Sequence, residues 1–175
     1  MTRIYDPIHG FITITPLMKR FMDTEEFQRL RDLRQLGATT FVFPSANHTR
    51  FEHSIGVSHY AGLMMESLFK NGATITDDDD ENTCEKYIEC ARLAGLLHDI
   101  GHGPYSHLFD DYVKSDSIPD HEERGCGIIR NIVTRYGIEI SEEYIEIIIN
   151  MIHPPDDKKW DWKYQVVANK VNQLD

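Results

Sequence analysis

Residues 96–107 read Leu96-Leu97-His98-Asp99-Ile100-Gly101-His102-Gly103-Pro104-Tyr105-Ser106-His107, and they continue an apolar run that begins at Leu93. Leucine and alanine favour a buried helix, and Gly101, Gly103 and Pro104 end it within one turn. Such a helix carries an adjacent imidazole and carboxylate to its own end, where both can face a pocket. A borderline nitrogen beside a hard anionic oxygen suits a divalent transition metal, whether Fe, Mn, Zn or Ni. His102 and His107 are expected to face the same space after the helix ends. A plainer reading makes His98 a cation answering the helix dipole, but Asp99 has the wrong charge for a helix C-terminus. The pair therefore points to a metal.

Upstream, an Asp6-Pro7 turn precedes the β-like alternation Phe11-Ile12-Thr13-Ile14-Thr15, which predicts a small hairpin. Thr15-Pro16 caps a short helix over Leu17 to Phe21. A second helix follows Asp23-Thr24-Glu25-Glu26, with Phe27, Leu30, Leu33 and Leu36 on its apolar face and Gly37 at its end. Phe41-Val42-Phe43-Pro44 reads as a short extended piece. From Thr49 the pattern is helical, and His53 shares a stripe with Gly56, Val57, Tyr60, Ala61 and Met64.

Downstream of the acidic run Asp77 to Glu81, Thr83 is the expected cap of the helix that reaches about Ile100. Phe109 and Tyr112 suggest one short helix. Pro119-Asp120 opens another, with Ile128, Ile129, Ile132 and Val133 as its core stripe. Ser141 caps a last clear helix, ended by Pro154-Pro155, and Trp160 to Asp175 is read as a further helix. Helices dominate, so the expected fold is an all-α bundle with a minor N-terminal β-hairpin, forming one domain over residues 1–175.

Composition narrows the function. The chain has 175 residues, 41% of them hydrophobic, enough for one well-formed core. No stretch approaches the roughly 20 apolar residues of a membrane span, and no cleavable leader is apparent. A net charge of −11 with 18 Lys and Arg argues against strong nucleic-acid binding, though not against nucleotides. Cys84, Cys90 and Cys126 have no Cys-x-x-Cys spacing, which fits an intracellular setting, cytoplasmic or nuclear.

The constellation of Arg50-Phe51-Glu52-His53-Ser54, His98-Asp99, His102, His107, Asp110 and His121 resembles the HD-domain metal phosphohydrolases, named for the adjacent His-Asp. It is most similar to the dNTP triphosphohydrolases that carry a sterile alpha motif and an HD domain. Further matching blocks are Asp6-Pro7-Ile8-His9-Gly10, Asp23-Thr24 with Phe27-Gln28-Arg29-Leu30-Arg31, Gln35-Leu36-Gly37, Val42-Phe43-Pro44 and His121-Glu122. The likeness runs from Ile4 to the last residue.

That resemblance implies His53, His98 and Asp99 as metal ligands. It implies that His102 and His121 face the substrate phosphates or a second ion such as magnesium. His107, hydrogen-bonded to Asp110, would be the general acid that protonates the leaving 5′ oxygen. Gln35 and Arg50 match residues that hold the substrate sugar and phosphates. Asp23, Gln28 and Arg31 match residues that bind an activating guanine nucleotide, GTP. Asp23 reads equally well as a helix N-cap. The plainer alternatives to these roles are a short-helix cap for Asp110 and an exposed first-turn residue for His121. His9, His48, His59 and His153 are expected to be structural or surface residues, since nothing in the sequence pairs them.

The implied reaction converts a dNTP and water to a deoxynucleoside and triphosphate, in a homo-oligomer or beside a longer homologue. A metal lowers the pKa of water and neutralises phosphate charge, histidine has a proton to give near neutral pH, and arginine's planar fork suits phosphate. The sequence departs from the family at its end. The family's fourth ligand is an aspartate in an Ile-Asp-Val-Asp-Lys segment, and Asn169-Lys170-Val171-Asn172-Gln173-Leu174-Asp175 stops two positions short of it. Asp175 is the candidate substitute ligand. The alternative expectation is a non-catalytic HD module that binds nucleotide or pairs with a longer homologue.

Overall fold

The computed structural model describes residues 2–76, 80–105, 109–110, 112 and 119–168. Strands β1 (Thr2–Asp6) and β2 (Gly10–Ile14) form an antiparallel hairpin with Ile4 opposite Ile12. Its turn is held by Asp6 Oδ1, which accepts the N–H groups of Ile8 and His9 at 2.8 and 2.9 Å. Ile12 and Ile14 point into the core while Phe11 stays exposed, the period of two that a half-buried strand requires. Thr15 Oγ1 accepts the Met18 N–H at 3.1 Å and Pro16 opens α1 (Pro16–Met22) as expected.

Helix α2 (Glu25–Gln28) is shorter than the sequence suggested. A 3₁₀ turn, Arg29–Asp32, follows it, and Leu33 is already extended. The cause lies elsewhere in the chain. Leu33 O accepts the Arg50 N–H at 2.8 Å and the Gln35 N–H reaches His48 O at 3.0 Å, so these backbone groups are paired without a helix. Leu36, about half exposed, offers no burial to oppose this. The cap of α2 is Thr24, and Asp23 instead terminates α1, so the N-cap reading of Asp23 is corrected. Phe41 to Pro44 is not extended either. It follows a 3₁₀ turn, Gly37–Phe41, in which Val42 and Phe43 both donate to Thr39 O.

Helix α3 (Arg50–Lys70) buries Phe51, Ser54, Ile55, Ser58, Ala61 and Met65, a stripe offset from the one expected. Tyr60 and Met64 lie on its exposed side. Helix α4 (Glu81–Leu97) is capped by Asp80, whose Oδ1 accepts the Thr83 N–H at 2.8 Å, so Thr83 sits inside the helix and does not cap it. Leu93, Ala94, Leu96 and Leu97 are wholly buried, and His98 caps the helix C-terminus.

The two helices run antiparallel and very close. A Cβ on Gly95 would lie 3.0 Å from the backbone of Ser58, and Ser58 Oγ donates to Arg92 O at 2.7 Å. This contact sets the start of α3 beside the end of α4. Helix α5 (His121–Tyr136), capped by Asp120, and α6 (Glu142–Ile152), capped by Ser141, complete the bundle, with α6 packed on α4. After Pro154-Pro155 the described chain forms a 3₁₀ turn, Trp162–Tyr164, within the segment proposed as a further helix, of which residues 169–175 lie outside the described residues. Its N–H groups bond three residues back, and Tyr164 and Val167 are buried against the core. The fold is all-α, with the hairpin as its sheet among the described residues. None of the described helices is long and apolar enough to cross a membrane.

Candidate metal centre

His53 lies one turn into α3, where Thr49 and Glu52 start the helix; the Thr49 N–H donates to Glu52 Oε2 at 3.2 Å. His98 and Asp99 leave the end of α4. Their ligand atoms, with that of His53, all lie within 4.8 Å of one another. The His53 and His98 rings meet edge to face at 5.2 Å. His98 Nδ1 is 2.8 Å from Gly95 O, which sets that nitrogen as the donor and leaves Nε2 as the acceptor. Nε2 is buried with no hydrogen-bond partner among the described residues. A buried acceptor without a partner is costly in a packed interior, and a divalent cation supplies what it lacks. The donor set fits a metal.

Asp99 is buried against one guanidinium and three imidazoles. Arg50, itself buried, bonds Asp99 Oδ2. His53 Nε2 is 3.6 Å from Oδ2, and His98 Nε2 and His102 Nε2 are 3.4 and 3.3 Å from Oδ1. Burial alone disfavours the charged carboxyl, but His98, a hydrogen bond from His102 and Arg50 outweigh it and hold Asp99 well below the usual carboxylate range. Burial pulls the His102 imidazole down, against the pull of Asp99.

A second group adjoins the first. His102, Asp110 and His121 also bring ligand atoms within 4.8 Å of one another. The His102 and His121 rings stack at 4.0 Å. His121 Nδ1 is 3.0 Å from Asp110 Oδ2, and Arg124 bonds the other oxygen. Burial works against the Asp110 anion, yet Arg124 and His121 lower its pKa. His121 is thus a partly buried, paired residue, not an exposed one, and Asp110 is more than a helix cap. His107 and Asp175 lie outside the described residues.

Gln35 and Arg50 are brought together by the short pairing of residues 33–35 with 48–50. Both line a polar cleft with His53, His98, Asp99, His102 and His121. Its space of about 90 Å³ admits a cation with several waters and opens to solvent. Gln28 and Arg31 are also joined, Arg31 Nε donating to Gln28 Oε1 at 2.8 Å, while Asp23 pairs with Lys19. The sequence missed one pair. His153, expected to be unpaired, has Nδ1 2.9 Å from Glu122 Oε2 and forms a third group with Asp120 and Glu122. These residues come from the start of α5 and the end of α6, and no local signal links them.

Comparison with known proteins agrees with the geometry. Residues 50–172 match the HD domain family model. An HD domain-containing protein of Acanthamoeba polyphaga mimivirus is 40% identical, covering 96% of this chain and 39% of that protein. The deoxynucleoside triphosphate triphosphohydrolase SAMHD1 homolog of Dictyostelium discoideum is 40% identical over 98% of this chain and 33% of its own length. Deoxynucleoside triphosphate triphosphohydrolase SAMHD1 of Homo sapiens is 35% identical over 100% of this chain and 31% of its own. The chain thus spans about a third of the length of these relatives.

Proposed function

We propose, from the premise that the chain belongs to the HD-domain family, that it is a metal-dependent phosphohydrolase acting on deoxynucleoside triphosphates. It would release a deoxynucleoside and triphosphate. One observation carries this reading: His53 from one helix meets His98 and Asp99 at the end of another, with the buried Nε2 of His98 having no hydrogen-bond partner among the described residues.

His53, His98 and Asp99 would hold a divalent transition metal, Fe, Mn, Zn or Ni. When bound, it supplies Lewis-acid charge beside the phosphate and a lowered pKa for water. The surrounding residues have separate tasks. Arg50 braces the Asp99 carboxylate and, with Gln35, lines the cleft that would take phosphate and sugar. His102 and His121 present stacked imidazoles to the same cleft, where they would meet phosphate oxygens or a second ion such as magnesium. Asp110 orients the His121 ring through the contact of its Oδ2 with Nδ1. His107 is assigned the general-acid role by resemblance, and Asp175 is the candidate fourth ligand. Asp23, Gln28 and Arg31 are the proposed contacts of an activating GTP. The exposed Phe41, Val42 and Phe43 favour self-association or pairing with a longer homologue. One HD domain over residues 1–175 accommodates all of these assignments.

The test is triphosphate release from each dNTP with Mn or Fe, with and without GTP. Expected is metal-dependent release that His98→Ala abolishes. Release undiminished in that variant would refute the reading.

A further inference from the structure

Three successive carbonyls follow the His98-Asp99 pair, and two arginines from different elements hold all of them. Arg29, at the start of the 3₁₀ turn after α2, donates Nη2 to Ile100 O at 2.8 Å and Nη1 to His102 O at 2.9 Å. Arg124 of α5 donates Nε to Gly101 O at 3.2 Å and Nη1 to Pro119 O at 2.6 Å, and its remaining nitrogen bonds Asp110. Arg29 is part-buried, and no carboxylate is among its partners in the described residues. Burying a guanidinium against bare backbone is unfavourable unless its charge-assisted bonds fix something that would otherwise shift. The loop has no slack toward α5 either, because a Cβ on Gly101 would lie 2.0 Å from His121 O and 2.6 Å from Gly125 N.

Both site imidazoles outside the His53-His98-Asp99 group depend on this grip. His102 belongs to the gripped loop. His121 is oriented by Asp110, whose other oxygen Arg124 holds. We propose that Arg29 and Arg124 are positioning residues, a pair of guanidinium clamps on residues 100–102 that fixes the stacked His102 and His121 rings beside the cation ligands. The catalytic consequence rests on the phosphohydrolase reading. The clamp itself is a matter of geometry and is measurable without turnover.

Stacked imidazoles shield each other's ring protons, so histidine side-chain NMR of the zinc-loaded protein reports the stack directly. Arg29→Gln and Arg124→Gln are expected to move the His102 and His121 ring signals toward unstacked positions with bound zinc unchanged. kcat on dNTP should fall roughly 10- to 100-fold, the usual effect of removing a group that orients a site residue. Arg29→Lys, which keeps the charge but loses the fork, should fall between Arg29→Gln and the parent in both readouts. Folded variants with parental ring signals would overturn the clamp, and should Arg29→Gln fail to fold, Arg29→Lys and Arg124→Gln decide by the same criterion. If the parent shows no turnover, the hydrolase reading fails while the ring signals still judge the clamp. Turnover with unmoved ring signals defeats the clamp alone.

Discussion

Asp99 stays ionised in a buried position because Arg50 and three imidazoles face its two oxygens. Its lowered pKa fixes the sign of its effect on stability. The unfolded carboxyl titrates near pH ~4, so the contribution is complete above that pH and is lost as pH falls below it. Asp99→Asn is therefore expected to destabilise the metal-free protein by about 3 kcal/mol at pH 7, with the difference shrinking in acid. Urea unfolding in chelator at pH 7 and pH 3 checks both parts, and equal midpoints at pH 7 would contradict the first. Cysteine behaves in the opposite sense. Burial pushes the Cys90 thiol up to about 12 and Cys126 up to about 11. At pH 8 only about one Cys90 thiol in ten thousand is a thiolate, so the native protein should react slowly there with a thiol reagent. All three cysteines should react in denaturant. Rapid native labelling of Cys90, read by mass spectrometry, would contradict its burial. At this scale the His98-Asp99 pair was legible because adjacent residues travel together whatever the fold. Glu122 and His153 were not, since their contact depends on how the ends of two helices meet.

Helices α3 and α4 place the site through small residues, not large ones. Gly95 lets the backbones touch at Ser58, and Gly101 lets the loop pass beneath α5. Gly101→Ala is expected to cost about 1–3 kcal/mol, as overpacking a closed site does. Gly127→Ala, on an exposed helical position with nothing within 4 Å of a Cβ, should stabilise by about 0.5–1 kcal/mol. Thermal melts of the two variants decide, and equal shifts would contradict this close packing at Gly101. Local chemistry explains which boundaries could be read from sequence. Thr15, Asp120 and Ser141 cap as expected because a cap needs only its own next three residues. The end of α2 could not be read this way, because Leu33 gives its carbonyl to Arg50 across a loop. The core stripe of α3 was misplaced because its buried face includes Ser54 and Ser58, which a count of apolar residues passes over.

For the whole molecule, binding of the proposed metal would be linked to folding. The site joins the start of α3 to the end of α4, so a cation that binds only the folded chain stabilises that junction. At a free concentration one hundred times its Kd it should add about 2.7 kcal/mol and raise the melting temperature. The most direct measurement is metal content by mass spectrometry on the purified parent and on His53→Ala, His98→Ala and Asp99→Ala, each verified as folded. The expected result is about one transition-metal ion per parent chain and little in any of the three variants, since each removes one of the three proposed ligands that converge among the described residues. Variants that keep the parent's metal content would contradict the convergence of His53 with His98 and Asp99 on a single cation.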